Sequence, residues 1–481
     1  MPLSTTAERH LREAASFRFV ADPARVIVLI VSDLLALVSS GAIGYLIWAY
    51  PVRGQSVALY LQALPLLAAF VATYYLLGLY PGQGLGGVEV LRRLSLGTLL
   101  CFVFLAAGTF ALKLPPLYSR VTFGIALCVS LVLVPVFRLL TLKLVRRQEW
   151  WYRPVVVVTS LTHVKATGRA SLRAAYSGYR TAGLLVTDGP TPETLIDEIP
   201  VLGTVEAASD VARLGIETAI VEAPAEELPQ ILDLLRHDFR HIVTIRAYSE
   251  VGVERVRVRS LGELLGLEYT NSLLVPRNRV SKRSLDILLG VPLLLLSLPV
   301  IVGAIAMVRL RSPGTGLFFQ ARGGHEGRVF RMPKIRTMIP DAEVELGERL
   351  TTDPELTNQW SERFKLNDDP RIIPGVGTFL RRFSIDELPQ LWSVVKGDMS
   401  LVGPRPLPDY HLAALSDKAR RVREEVRPGI TGLWQIRDRG TLDIAEQEAR
   451  DTYYVQNWTV WLDLYVLGRT GVAVLTGKGA S

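Results

Sequence analysis

Cysteine is scarce in this sequence: Cys101 and Cys128 are the two among 481 residues, and both lie inside apolar runs. That excludes a disulfide framework and a cysteine-based zinc site. A dinucleotide fingerprint is missing as well. The β-branched run "PVVVVTS" continues as "TSLTHVKATG", with no glycine before Gly168. The tight turn and close pyrophosphate approach of a G-x-G-x-x-G loop are therefore not available there. No Tyr-x-x-x-Lys pair of the short-chain dehydrogenase type occurs, which disfavours an NAD-dependent sugar-modifying enzyme. The net charge is +8, but no nucleic-acid-binding motif accompanies it. Anionic lipid headgroups or phosphorylated substrates suit that charge better than nucleic acid.

Long apolar runs, by contrast, are plentiful. Mean hydropathy is +0.27 although 21% of residues are charged, a mixture that suggests membrane segments joined to cytosolic ones. Four stretches can span a bilayer: 26–50, 56–80, 94–112 and 121–144. The first is too long, and too late behind a charged leader, for a cleaved signal peptide. Arg9, Arg12, Arg18 and Arg25 precede it; Arg92 and Arg93 lie between the second and third, and Lys143, Arg146, Arg147 and Arg153 follow the fourth. The opposite side has only Arg53, Lys113 and Arg120, so both ends of this bundle are expected in the cytoplasm.

A fifth run, 285–308, has Lys282 and Arg283 before it and Arg309 and Arg311 after it. A complete crossing would carry everything beyond it away from cytosolic nucleotides. Pro299 near its middle can kink a helix, so a helix that enters, bends and returns fits both constraints. A span with a tolerated proline is the other reading.

Between these parts, from about Pro154 to Arg246, lies the pattern of an α/β domain. "PVVVVTS", "GLLVTDG" and "TAIVEAP" read as strands and "EELPQILDLLRHDFR" as an amphipathic helix, together a parallel, Rossmann-like sheet. His237 and His241 are spaced i,i+4 on that helix, but no third metal ligand is apparent, so they read as solvated.

The C-terminal part sets two carboxylates in an apolar context: "RRFSIDELPQLW", with Asp386 and Glu387 just before Pro389. Ser384-x-x-Glu387 reads as a capping box, and whether Ser384 or Asp386 is the cap, the pair lies at the positive end of a helix. Around it lie Lys334 and Arg336 in "PKIRTM", Arg381 and Arg382 in "FLRRFS", Arg405 between two prolines in "GPRP", and Arg427 in "VRPGITGLWQ". Each alone is an ordinary surface cation. Together, beside carboxylates, they suit a pyrophosphate site, since the arginine fork matches phosphate oxygens and Mg²⁺ is commonly held by one or two carboxylates plus substrate phosphates.

From about Lys282 to the C-terminus the chain resembles the bacterial sugar transferases, the monotopic phosphoglycosyl transferases. The matching pieces, in the family's order, are "KRSLDILLG", "KIRTM", "SIDELPQLW", "KGDMSLVGPRP", "RPGITGLWQ" and "WLDLYVL". The whole layout resembles the large four-span members, and "GLYPGQGL" with the following Arg92-Arg93 resembles the undecaprenyl-phosphate galactose phosphotransferase branch. The resemblance implies a membrane protein with a four-helix transmembrane bundle (1–150), a Rossmann-like α/β domain (151–275) and a mainly α catalytic domain (276–481) with a re-entrant helix at about 284–309. It implies transfer of a hexose 1-phosphate, galactose or glucose, from a UDP-sugar to undecaprenyl phosphate at the cytoplasmic face of the bacterial inner membrane, as the first membrane step of O-antigen, capsule or exopolysaccharide synthesis. UMP would be released, and the protein would work as a homodimer among membrane lipids. The family's catalytic dyad falls on Asp386, the nucleophile and Mg²⁺ residue, and Glu387. Its substrate cations fall on Arg381 and Arg405, with Lys334, Arg336, Arg427 and Arg439 as further candidates. Its helix-breaking Ser-Pro pair is shifted here to Ser297 and Pro299, and its Gly-Arg-Asn turn is here "RDRG". A noncatalytic assembly scaffold, with the dyad as a cap, is the rival from another class.

Overall fold

The computed structural model describes residues 18–340 apart from 83, 112–118, 146–147, 161–177, 188–194, 197–198, 225, 246–255, 262–263 and 270–274. Beyond these it describes a few positions between 342 and 369, and 371–476 apart from 409–410, 413–414 and 437–443. The chain divides into two compact units, Met1–Ala247 and Tyr248–Ser481.

Among the described residues, five helical segments are long and apolar enough to cross a membrane: Pro23–Arg53, Val57–Leu76, Gly87–Gly108, Arg120–Val145 and Pro276–Arg311. Each overlaps one of the five apolar runs, the third and fifth segments beginning seven and nine residues before their runs. In the first unit the regular helices are α1 (Arg18–Gly44), α2 (Leu67–Leu76), α3 (Gly87–Ala111) and α4 (Arg120–Val145). α1 packs along α4, and Gly44 is required there: a Cβ would lie 2.8 Å from the Thr122 carbonyl oxygen. The two helices also share a buried ion pair, Arg138 Nη2 to Asp33 Oδ2 at 2.6 Å, and the Tyr80 hydroxyl donates to the same oxygen at 2.7 Å. Charges inside a membrane bundle persist only when paired in this way. Leu76, Phe104 and Leu144 remain exposed on the outside, as a lipid-facing surface requires.

The α/β part has strands β1 (Arg153–Thr159), β2 (Tyr179–Val186), β3 (Leu195–Ile196), β4 (Ile199–Thr204), β5 (Thr218–Glu222) and β6 (His241–Ile245), in sheet order β3-β4-β2-β1-β5-β6. All pairings are parallel except β3 with β4. Strand order therefore reverses at β1, as in a Rossmann-like sheet. Alternate residues divide between two cores, Val156 and Val158 on one face and Val155 and Val157 on the other. Burial on both faces is what makes the strands read as continuous β-branched runs. The helix α5 ends at Leu235 (Leu228–Leu235) and His241 opens β6. The two histidines thus do not share a helix, correcting the i,i+4 reading. The turn after β1, with Gly168, lies outside the described residues.

The second unit begins with the hairpin β7 (Val256–Leu261) and β8 (Leu264–Tyr269). Next comes α6, Pro276–Arg311, continuous through Pro292 and Pro299. Its buried positions, Asp286, Gly290, Ser297, Ile301, Ala304 and Val308, form one stripe. That stripe packs along elements of the same unit: the hairpin β9 (Leu317–Gly323) and β10 (Val329–Ile335), helices α7 (Val376–Arg382) and α8 (Gln390–Lys396), and strand β11 (Ser400–Val402), which pairs in parallel with β12 (Gly429–Thr431). Three further helices, α9 (Asp417–Glu424), α10 (Ile444–Gln456) and α11 (Val460–Thr476), complete it.

Both ends of α6 are fastened to this unit. Near the start, Lys282 Nζ donates to Asp463 Oδ2 at 2.7 Å and to the Val402 carbonyl at 2.8 Å, while Asp286 Oδ1 accepts from Ser400 Oγ and Leu401 N. At the other end Ile301, Ala304 and Val308 pack with Ile335, Ile373 and Leu380. Pro299 removes the N–H that would bond the Leu295 carbonyl. Ser297 Oγ donates instead to Leu294 at 2.9 Å, the carbonyl beside the freed one.

Candidate active site

Ser384 does not cap a helix. It sits in the left-handed region at φ 54°, and its hydroxyl makes no capping bond. That conformation costs a serine about 1 kcal/mol. The chain then turns through a short 3₁₀ segment, Ile385–Glu387, and α8 starts only after Pro389. The capping-box reading is thereby overturned: Glu387 serves the site instead.

Glu387 Oε1 accepts from Arg405 Nη2 at 2.7 Å and from Lys334 Nζ at 3.3 Å. Burial works against its charge, but Arg405 and Lys334 outweigh it and hold the carboxyl down at about 2. Asp386 is buried, 8% exposed, and accepts no hydrogen bond from any described residue. Burial, and then the Glu387 charge, push its carboxyl up to about 6 against the pull of Lys334, Arg381 and Arg405. Desolvation thus dominates at this carboxyl, which remains ionised at neutral pH but is more basic than an ordinary aspartate. The two neighbours have opposite characters. One is a fixed anion, the other a basic and unengaged carboxylate.

Three elements bring the cations here. β10 supplies Lys334; α7 supplies Arg381, whose Nε donates to Thr337 Oγ1 at 2.8 Å. The loop after β11 supplies Arg405. That loop is set by glycine packing: a Cβ on Gly403 would lie 2.7 Å from the Arg427 carbonyl oxygen and 2.9 Å from Gly429 N. Only glycine allows β11 and β12 to approach so closely. The Arg405 carbonyl accepts from Arg423, which is ion-paired with buried Asp451. Burial pushes the Asp451 carboxyl up to about 6 and Arg423 opposes it.

Two expected ligands lie elsewhere. Arg336 donates to the carbonyls of Ser312 and Pro313, at 2.8 and 2.6 Å, and so closes the C-terminal end of α6. Arg427 Nε donates to the Gly397 carbonyl at 2.8 Å, and Arg283 donates to those of Val394 and Val395 at 2.6 and 2.8 Å. Both therefore satisfy the last turn of α8, where cations oppose the helix dipole. Arg427 lines a separate cleft of about 780 Å³ with Arg279, His325 and Leu288. Arg439 lies outside the described residues. Sequence reasoning missed Thr337 and the network of Lys282, Asp286 and Asp463. The spacing of "KRSLD" put Lys282 and Asp286 on one helix face, but their partners lie more than a hundred residues away.

Residues 277–477 match the family described as bacterial sugar transferase. The undecaprenyl-phosphate galactose phosphotransferase of Salmonella typhimurium is 31% identical over 375 residues, 76% of each chain. The UDP-galactose-lipid carrier transferase of Erwinia amylovora is 31% identical over 359 residues, 73% of this chain and 74% of that one. The UDP-glucose:undecaprenyl-phosphate glucose-1-phosphate transferase of Caulobacter vibrioides is 38% identical over 209 residues, 41% of this chain and 71% of its own. Similarity over so much of the first two relatives, on top of the match spanning the dyad and its cations, establishes that the chain belongs to the bacterial sugar transferase family.

Proposed function

We propose that the protein transfers a hexose 1-phosphate from a UDP-hexose to undecaprenyl phosphate, through a covalent intermediate on Asp386. The observation that carries this reading is the contrast within the dyad: Glu387 is locked to Arg405 and Lys334, while Asp386 is buried and bonded to no described residue. A carboxyl near 6 is ionised at neutral pH yet more basic than an ordinary aspartate, which favours nucleophilic attack. Asp386 attacks the phosphorus that bears the hexose. The bond from that phosphorus to the bridging oxygen breaks, its electron pair leaves with UMP, and an oxygen of undecaprenyl phosphate later displaces the aspartate from the same phosphorus. The acceptor is already an anion, so no general base is required. Glu387, held ionised, keeps Lys334 and Arg405 in place around the phosphates.

Mg²⁺ fits the Asp386 carboxylate, whose oxygens no described donor occupies. Among the described residues no cluster of three His, Cys, Asp or Glu forms, so its other ligands would come from phosphate and water. When bound, the ion supplies charge neutralisation to the pyrophosphate.

Galactose is the preferred hexose in this reading, since two galactose-named relatives align over about three quarters of the chain. The fastening of both ends of α6 to one unit supports a re-entrant helix, with the dyad on the cytoplasmic side where lipid phosphate and nucleotide sugar meet.

The test uses purified full-length protein with labelled UDP-galactose or UDP-glucose and no lipid acceptor. A burst of UMP and a labelled phosphosugar on the protein are expected, both abolished by Asp386→Asn, with residual activity in Glu387→Gln. UMP release only with undecaprenyl phosphate, and no label trapped, would establish direct transfer instead.

A further inference from the structure

We propose that Arg322 is a further cationic arm of this site and holds the phosphate that leaves with the nucleoside; this rests on the transfer reading above. The hairpin register carries the first part of the argument. Phe318 pairs with Lys334, Gln320 with Met332 and Arg322 with Phe330. Side chains alternate along each strand, so Gln320, Arg322 and Lys334 share one hairpin face. Phe319 and Arg331 mark the other face, with the Arg331 guanidinium 5.4 Å from the Phe319 ring centroid. Arg322 Nη2 donates to Gln320 Oε1 at 2.6 Å, which draws the guanidinium back along the strand toward Lys334.

Two neighbours register its charge. Burial, opposed by Glu387, lowers the Lys334 ammonium, and both Arg405 and Arg322 add to that lowering. Burial and then Arg322 also lower the His411 imidazole. Arg322 is therefore within electrostatic reach of both Lys334 and His411, the latter just after the loop carrying Arg405.

The reaction gives a cation there a task. Before the first step the negative charge lies on Asp386 and on the donor diphosphate. After it the aspartate is esterified and the nucleotide leaves as a dianion. Total charge is unchanged, but one unit moves from the dyad to the departing phosphate. Lys334 and Arg405 are tied to the dyad end through Glu387. Arg322, farther along the same face, is placed for the departing end, where a guanidinium can grip phosphate oxygens in pairs.

Equilibrium dialysis of UMP and of uridine against the full chain in lipid nanodiscs, with steady-state kinetics, tests this. Arg322→Gln should weaken UMP binding and UMP product inhibition by about tenfold or more, leave uridine binding and the KM for undecaprenyl phosphate unchanged, and keep the wild-type Tm. Arg322→Lys should fall between. Gln320→Met, which removes the bond from Gln320 Oε1 to the guanidinium, should weaken UMP binding to a lesser degree and serves if Arg322→Gln does not fold. Asp386→Asn should still bind UMP. Wild-type UMP affinity in Arg322→Gln, equal loss of uridine and UMP affinity, or a rise in acceptor KM alone would overturn the assignment. Absence of any UMP release by the wild type would overturn the transfer reading itself.

Discussion

Arg405 and Glu387 form the central ion pair of the candidate site: the guanidinium donates to Glu387 Oε1 at 2.7 Å, and Lys334 reaches the same oxygen at 3.3 Å. The pair fixes two cations beside Asp386 without engaging Asp386. Partial exposure of the Arg405 side chain, at 34%, leaves donors for a ligand.

Arg405→Lys keeps the charge and loses the planar fork. Activity should fall by about tenfold or more, while expression and Tm stay near wild type. Loss of folding would assign Arg405 a structural role, contrary to this expectation.

The buried Arg423–Asp451 pair should respond to mutation differently from a surface pair. Removing one partner leaves a buried charge uncompensated, which typically costs about 3–5 kcal/mol. Asp451→Leu should therefore lower the Tm strongly and also lower activity, because Arg423 holds the Arg405 carbonyl. The double change Arg423→Met with Asp451→Leu should be less destabilising than either single change. Thermal unfolding of the four proteins in detergent measures the cycle.

A pH dependence follows from the same residue. Burial raises the Asp451 carboxyl to about 6 from its ordinary 3.8. Between these values the folded state binds the proton more tightly, so this group's stabilising contribution is present below about 4 and is lost as pH rises through about 6. Asp451→Asn removes that loss. The Tm difference between wild type and variant should change across pH 4 to 7, with the wild type relatively more stable at the acidic end. A constant difference would count against the raised value.

For topology, single cysteines at Ser281 and Thr315, in a chain with Cys101 and Cys128 replaced, should both resist an impermeant thiol reagent in intact cells. Thr315 is the better site on the C-terminal side, because Gly314 has φ +103° and a Cβ there would lie 2.9 Å from Arg336 Nη1. Labelling at only one position would establish a complete crossing.

The α/β sheet should bind no dinucleotide. Calorimetry on the full chain with NAD(H), NADP(H) or CoA should give no heat beyond dilution, and micromolar binding of any of them would refute the expectation drawn from the missing glycine loop.

The sequence by itself determined the elements whose signal is local. The five membrane-length helices follow from run length, because a bilayer demands about twenty apolar residues in succession. β1 and β5 follow from β-branched runs and β2 from the apolar run Leu184 to Val186, with burial on both faces as Val155 to Val158 illustrate. The adjacency of Asp386 and Glu387 was legible, and so was the nearness of Lys334, Arg381 and Arg405 to the pair. What the sequence left open was how each charge is used, since that depends on partners brought together by folding. Arg405 and Lys334 meet Glu387 across 18 and 53 residues, whereas Arg336 and Arg427, equally plausible in sequence, are taken up by helix-terminal carbonyls. The capping box failed for a related reason: Ser384 turns left-handed, and Glu387 bonds to distant cations instead of local backbone. Packing then divides the two neighbouring carboxylates: burial raises both, but Arg405 and Lys334 bond only to Glu387, which leaves one fixed anion beside one more basic carboxylate.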